Sequence, residues 1–122
     1  MTPSRVNVSS GSPFEAQVGY SRAVRVGPLV VVAGTTAPGA DVTAQTREVL
    51  RRIERALHEV GASLDDVIRT RMFVTDIDSW AEVGAVHAEV FGSVAPVATM
   101  VEVSRLIAED LLIEVEVDAY LP

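Results

Sequence analysis

Ala95-Pro96-Val97-Ala98-Thr99-Met100-Val101-Glu102-Val103-Ser104-Arg105-Leu106, with its sequel Leu111-Leu112-Ile113-Glu114-Val115-Glu116-Val117-Asp118-Ala119-Tyr120, decides the fold. Both segments alternate with period two, the spacing of side chains on opposite faces of a strand. In the second, Ile113, Val115 and Val117 take one face while Glu114, Glu116 and Asp118 take the other. In the first, Val97, Thr99, Val101 and Val103 alternate with Ala98, Met100, Glu102 and Ser104. The expectation is an antiparallel pair joined as a hairpin through Leu106 to Asp110, with one aliphatic and one acidic face. Carboxylates in a row must be solvated, paired with cations or put to chemical use.

Upstream, Arg5 to Ser9 reads as a short edge strand, and Ser10-Gly11-Ser12-Pro13 as loop. Tyr20 to Val26 and Leu29 to Gly34 read as strands joined in a tight hairpin at Gly27-Pro28. Val30-Val31-Val32 is expected to be buried on both sides. A helix capped by Asp41 or Thr43 runs to Val60, stopped by Gly61, with Val42, Val49, Ile53, Leu57 and Val60 as its apolar stripe. His58 falls off that stripe and reads as a solvated surface residue. Ser63-Leu64-Asp65-Asp66 resembles a capping box before a strand over Val67 to Thr75. That strand carries Ile68, Thr70, Met72 and Val74 on one face and Arg69, Arg71 and Phe73 on the other. Ser79-Trp80-Ala81-Glu82 opens a second helix ending at Phe91-Gly92, with Trp80, Val83, His87, Val90 and Phe91 as its stripe.

This order predicts a single α+β domain over residues 1–122: a mostly antiparallel sheet with two helices on one face. The uncovered face would carry Arg22, Arg69, Arg71, Glu102, Glu114, Glu116 and Asp118, mixed signs that point to pairing at an interface or around a ligand. One β-bulge would shift a strand's parity.

Composition narrows the chemistry. The 122 residues are 48% hydrophobic, with a mean hydropathy of +0.29, high enough for so small a domain to hint at self-association. No run approaches the roughly 18 apolar residues of a membrane span, and Met1 to Arg5 lack a signal-peptide pattern, so a cytoplasmic location is expected. With no cysteine, disulfides, thiolate catalysis and zinc–thiolate sites are excluded. All ten basic residues are arginine, which removes Schiff-base lysine chemistry. A net charge of −7 repels phosphate backbones, so no nucleic-acid partner is expected. Two isolated histidines make no metal constellation, no Gly-rich phosphate loop precedes a helix, and no cofactor is implied.

Six pieces taken in order resemble a known family. They are Gly19-Tyr20-Ser21-Arg22-Ala23-Val24, Val32-Ala33-Gly34-Thr35, Gln45-Thr46-Arg47-Glu48-Val49-Leu50, Gly61-Ala62-Ser63-Leu64-Asp65-Asp66-Val67, Val74-Thr75-Asp76 and Val101-Glu102-Val103-Ser104-Arg105-Leu106. With Ile113-Glu114-Val115-Glu116 they are similar to the RidA (YjgF) family, also labelled endoribonuclease L-PSP, over about residues 15–120. The resemblance implies a chorismate-mutase-like protomer and a homotrimer, its sheets forming a central barrel and its small-molecule clefts lying between subunits. It also implies hydrolysis of enamines and imines such as 2-aminoacrylate and 2-iminopropionate to keto acids and ammonia.

In that family an arginine in a Pro-x-Arg-(Ser/Thr)-x-Val-Glu-Val motif holds the substrate carboxylate. A glutamate of the last strand positions water, and a tyrosine and a glycine backbone line the cleft. Tyr20, Gly34 and Glu114 match those positions, and Thr35 beside Gly34 is a further binding candidate. The arginine's place is taken by Ala98, two residues before Met100, and a methyl group cannot make a bidentate clamp. Gly84 replaces the cleft asparagine of the second helix, and Arg22 replaces a glutamine of the first hairpin. Arg22 and Arg71, with Arg69 the weaker candidate, either restore a clamp or make inter-subunit salt bridges with Glu102, Glu116 or Asp118. His87 is either a packed core histidine or a proton donor at the pocket wall. The leading expectation is therefore a divergent RidA-like enzyme, not the standard 2-aminoacrylate deaminase. Its substrate differs from the simple α-imino acids and is a reactive imine, enamine or related carbonyl metabolite, handled by Glu114 with Arg22, Arg71 or His87. The alternative is a non-catalytic metabolite-binding or regulatory trimer, and ribonuclease activity ranks last.

Overall fold

The computed structural model describes residues 4–122; Met1 to Pro3, part of the segment read for a leader, lie outside the described residues. The strands are β1 (Arg5–Val8), β2 (Ala23–Val26), β3 (Leu29–Thr35), β4 (Val67–Val74), β5 (Val97–Glu102) and β6 (Ile113–Tyr120). The helices are α1 (Pro13–Val18), α2 (Val42–Glu59) and α3 (Trp80–Phe91). All six strands form one sheet in the order β1-β2-β3-β6-β4-β5, antiparallel except for the β4/β5 pair. Among the described residues no helix is long and apolar enough to cross a membrane.

The α+β architecture is as expected, but the hairpin between the last two strands does not form. β6 enters between β3 and β4, while β5 lies parallel to β4 on its far side. Alternation sets which face a side chain takes; it does not choose the partner strand. The partner follows from burial. Ile113, Val115, Val117 and Ala119 are each 0% exposed and belong in the sheet centre, whereas nearly every residue of β5 is exposed or half-exposed, as suits an edge.

The local signals work where one side chain decides the geometry. Asp41 accepts from Ala44 N at 2.8 Å at the start of α2, and Gly61 adopts φ +84° after its end, a left-handed conformation that costs glycine little. Val49, Ile53 and Leu57 are fully buried against the sheet. Ser63 N donates to Asp66 Oδ2 at 2.9 Å, closing the predicted capping box over a 3₁₀ turn. At α3 the second box does not close: Ser79 Oγ donates to Asp76 O at 2.6 Å, because a 3₁₀ turn over Ile77–Ser79 precedes the helix. Trp80 consequently stands outside the core at 62% exposure, and Val83, Val86 and Phe91 make the buried stripe.

Three other expectations change. Ser12-Pro13 opens a short helix rather than a loop, with Ser12 Oγ accepting from Phe14 N and proline at the first helical position. The β4 ladder shifts register between Val67 and Arg69, which buries Val67 and leaves Ile68 51% exposed. Val31 faces the side of the sheet that no helix covers. On that open face Arg71 Nη1 lies 3.2 Å from Glu116 and 3.5 Å from Asp118, and Arg69 lies 3.7 Å from Asp118. The pairing expected between subunits is instead made within one chain, between neighbouring strands, for Glu116 and Asp118.

One buried polar side chain fixes the approach to β6. Gln45, 1% exposed, donates to Gly39 O and Asp110 O and accepts from Leu112 N at 2.8 Å. It ties the first turn of α2 to the segment that leads into Glu114. Gln45→Leu leaves these groups without partners, and unsatisfied buried groups cost about 1–3 kcal/mol each. The expected loss in urea unfolding is roughly 3 kcal/mol; a loss near zero would mean that water reaches them.

Candidate functional site

Glu114 is the first residue of β6 on the open side of the sheet, and it sits opposite the β3 irregularity between Val32 and Thr35. Its carboxyl occupies the space above Gly34. A methyl group built there would collide with Glu114 Oε2 and would stand 3.0 Å from Cδ and 3.3 Å from Cγ. A larger residue here would have to displace that carboxyl.

Arg22 comes from just before β2, where its backbone is pinned by Arg22 N to Val8 O (2.7 Å) and by Ala33 N to Arg22 O (2.9 Å). Its side chain is only 13% exposed, so the guanidinium needs internal partners. Nη1 donates to Gly34 O at 2.9 Å and to Thr35 Oγ1 at 3.0 Å. Nη2 has Tyr20 Oη at 3.5 Å, and the guanidinium lies 5.7 Å from the Tyr20 ring centre, within cation–π range. On the other side, Nε is 3.9 Å from Glu15 Oε2.

Glu15 is the residue that sequence reasoning missed. It is 6% exposed and accepts from Ser10 N at 3.2 Å and from the Ser10 hydroxyl. These hydrogen bonds, the Ser10 hydroxyl foremost, hold its carboxyl below the usual range despite burial, and the Arg22 charge helps. The signal was present: Ser12-Pro13-Phe14-Glu15 is a capping-box pattern with proline at the first helical position. Here the glutamate reaches back past the cap to Ser10.

Glu114 behaves oppositely. Burial pushes its carboxyl above the ordinary value, the Glu116 charge pushes the same way, and Arg22 opposes both. A carboxyl of this kind accepts and returns a proton nearer neutrality than an exposed glutamate does.

These residues border one cleft of about 760 Å³, with Tyr20, Arg22, Gly34, Thr35 and Glu114 among its lining. That volume lies within the 300–1,000 Å³ common for small-molecule sites. α2 contributes Glu48, Arg52 and Arg55, and α1 contributes Phe14 and Val18. Arg52 is held by Thr36 O (3.0 Å) and Glu48 Oε2 (3.3 Å).

Within one chain the other candidates lie elsewhere. Arg71 lines a separate hollow on the open face with Glu116 and Asp118. His87 lies on the helix side of the sheet, its Nε2 2.9 Å from Thr70 Oγ1 and its ring 4.8 Å from Phe91. Burial lowers its pKa, favouring the neutral ring. The structure places it as a packed, hydrogen-bonded histidine, away from Glu114. Gly84 has no atom within 4 Å of a built methyl, and Ala98 and Met100 lie on the edge strand opposite Thr70 and Met72. His58 is exposed beside Glu54, as expected. Among the described residues no group of three or more acidic or histidine side chains is arranged to hold a metal.

Known proteins are similar to this chain in sequence and fold. The family model described as Endoribonuclease L-PSP matches residues 11–121. A Streptomyces coelicolor protein is 39% identical over 93% of this chain and 90% of its own length. The 2-iminobutanoate/2-iminopropanoate deaminase of Salmonella typhimurium is 31% identical over 80% of this chain and 83% of that enzyme. Among solved structures, a member of the YjgF/YER057c/UK114 family from Mycobacterium tuberculosis is 65% identical, with a TM-score of 0.96 over 97% of this chain and 100% of that one.

Two outcomes check the geometry. Gly34→Ala displaces a mobile carboxyl end rather than backbone, so the fold survives, with a melting temperature within a few degrees of wild type. The Glu114 titration, followed by NMR, moves back toward the ordinary carboxylate value in that variant; an unmoved titration would place Glu114 elsewhere. Because its folded-state pKa is raised, Glu114 lowers stability progressively as pH climbs through the interval above the ordinary glutamate value. Glu114→Gln therefore melts higher than wild type at neutral pH, and the gain shrinks to nothing as pH falls below that interval.

Proposed function

Because the chain belongs to the endoribonuclease L-PSP family, also called RidA or YjgF, we propose that its cleft hydrolyses a reactive imine or enamine of a 2-oxo acid, or a related carbonyl metabolite. The observation that carries this reading is the Glu114 carboxyl poised over Gly34 in the same cleft as the Arg22 guanidinium. The deaminase relative supports the reaction class. Water adds to the imine carbon, its oxygen becomes the keto oxygen as the carbon–nitrogen bond breaks, and both its protons leave on ammonia. Glu114 takes a proton from the attacking water and returns one to the departing nitrogen, so the carboxyl ends as it began. Arg22, through Nη2, supplies the positive charge for the substrate carboxylate that Ala98 does not.

Three copies assemble in this reading through the open sheet face. Its support is the uncovered apolar area there, with Val31 37% and Val101 42% exposed beside the charged pairs. A net charge of −7 speaks against RNA as substrate. One observation favours a second reading, a metabolite-binding trimer without turnover: Ala98 stands where the family motif places its arginine.

Freshly generated 2-imino acids assayed with wild type and Glu114→Gln separate the two. Turnover that drops at least a hundredfold in the variant, with the oligomer intact, supports hydrolysis; an active variant rules the mechanism out. Saturable binding of 2-oxo acids without any conversion by wild type selects the second reading. The acidic limb of kcat/KM lies above the ordinary glutamate range, since protonated Glu114 cannot accept a proton, and it moves higher still in Arg22→Met, which removes the opposing charge.

A further inference from the structure

α1 is amphipathic the wrong way round for a core helix. Its acidic residue, Glu15, is buried and pins the helix to the sheet through Ser10 and Arg22. Its apolar residues, Phe14 and Val18, are one turn apart on one face and remain 49% and 72% exposed, bordering the cleft. Ile107, from the segment between β5 and β6, borders the same cleft at 75% exposure. Single exposed apolar side chains need no explanation. Three from two separate segments border a cleft that holds a carboxyl and a guanidinium, and they make an apolar wall in a lining that also includes the charged Glu48, Arg52, Arg55 and Glu59 of α2.

We propose that this wall selects the substrate: the cleft takes 2-imino acids with a branched aliphatic or aromatic side chain in preference to the three- and four-carbon imines. This inference rests on the hydrolytic reading above and adds the substrate class. The carboxylate and imine carbon sit with Arg22 and Glu114, and the side chain lies against Phe14, Val18 and Ile107. A three-carbon imino acid reaches those two groups but leaves that wall in water and most of the 760 Å³ unfilled. Each apolar group gained in such a pocket is worth about 10- to 200-fold in kcat/KM.

The test generates imines in situ with an amino-acid oxidase from leucine, phenylalanine and alanine, and measures kcat/KM for each. The expected result is a preference of about tenfold or more for the leucine- and phenylalanine-derived imines. Phe14→Ala and, independently, Ile107→Ser reduce that ratio by about tenfold; both side chains are exposed, so neither change threatens the core. A ratio near one in wild type, or a ratio that neither variant moves, overturns the inference while leaving hydrolysis standing. Loss of the trimer in Phe14→Ala or Ile107→Ser with an unchanged ratio assigns the wall to subunit contact and also overturns it. A parallel calorimetric titration with 4-methyl-2-oxopentanoate, phenylpyruvate and pyruvate reads the same selectivity without turnover. Preferential, Phe14-dependent binding of the two bulky keto acids by a protein that hydrolyses none of the imines would keep the wall's role and discard the catalytic reading. Equal or absent binding of all three overturns the wall.

Discussion

The arrangement depends on one strand with two obligations. β6 has to bury Ile113, Val115, Val117 and Ala119 against the helices, and it has to bond to neighbours on both edges. Meeting both puts every alternate residue, all of them acidic as far as Asp118, on the opposite side of the sheet. Glu116 and Asp118 find guanidinium partners on β4, at partly exposed positions where such pairs add little stability. Among the described residues Glu114 has no such partner within salt-bridge distance. It is the carboxylate left over once the sheet's own pairing is complete, and it lies where a glycine makes room for it.

Around that carboxylate the chain spends stability on arrangement. Arg22 is largely withdrawn from water, yet its partners are carbonyl and hydroxyl oxygens at about hydrogen-bond distance, with Glu15 just beyond. A buried guanidinium held mainly by neutral oxygens keeps part of its charge available to an incoming anion. Glu15 and Glu114 flank it with opposite titration behaviour, one held low by hydroxyl and amide donors, the other raised by burial. Two carboxyls near one arginine are thereby separated into an anchor and a group able to exchange protons, a division of roles that environment alone creates.

What was legible in the sequence were features decided by a residue and its near neighbours: Asp41 and Gly61 at the ends of α2, the Gly27-Pro28 hairpin, the Ser63 capping box and the two-faced β6. The family motif added Tyr20, Gly34 and Glu114, which the structure does bring to one cleft. What escaped were features decided across the fold. The alternation of β5 and β6 is equally compatible with pairing to each other or to β4, and only the competition for the sheet centre resolves it. The bulge between Val67 and Arg69 reverses the face of Ile68 with no turn residue to announce it. α1 was hidden for a different reason. Its six residues are too few for a periodic signal, and its polarity pattern is inverted because what its apolar side meets is a cleft.

The central place of the last strand also governs the order in which the molecule can become itself. As the chain leaves the ribosome, β1, β2 and β3 can ladder together, and β4 and β5 can pair across α3, but no strand-to-strand hydrogen bond links the two groups. Residues 113–120 supply both missing ladders at once. Without them the sheet divides into two halves with facing open edges, the kind of edge at which strands recruit wrong partners. Closing the sheet and delivering Glu114 to Gly34 are then a single event, so a chain whose cleft holds its carboxyl is also one whose inner edges, on β3 and β4, are already paired.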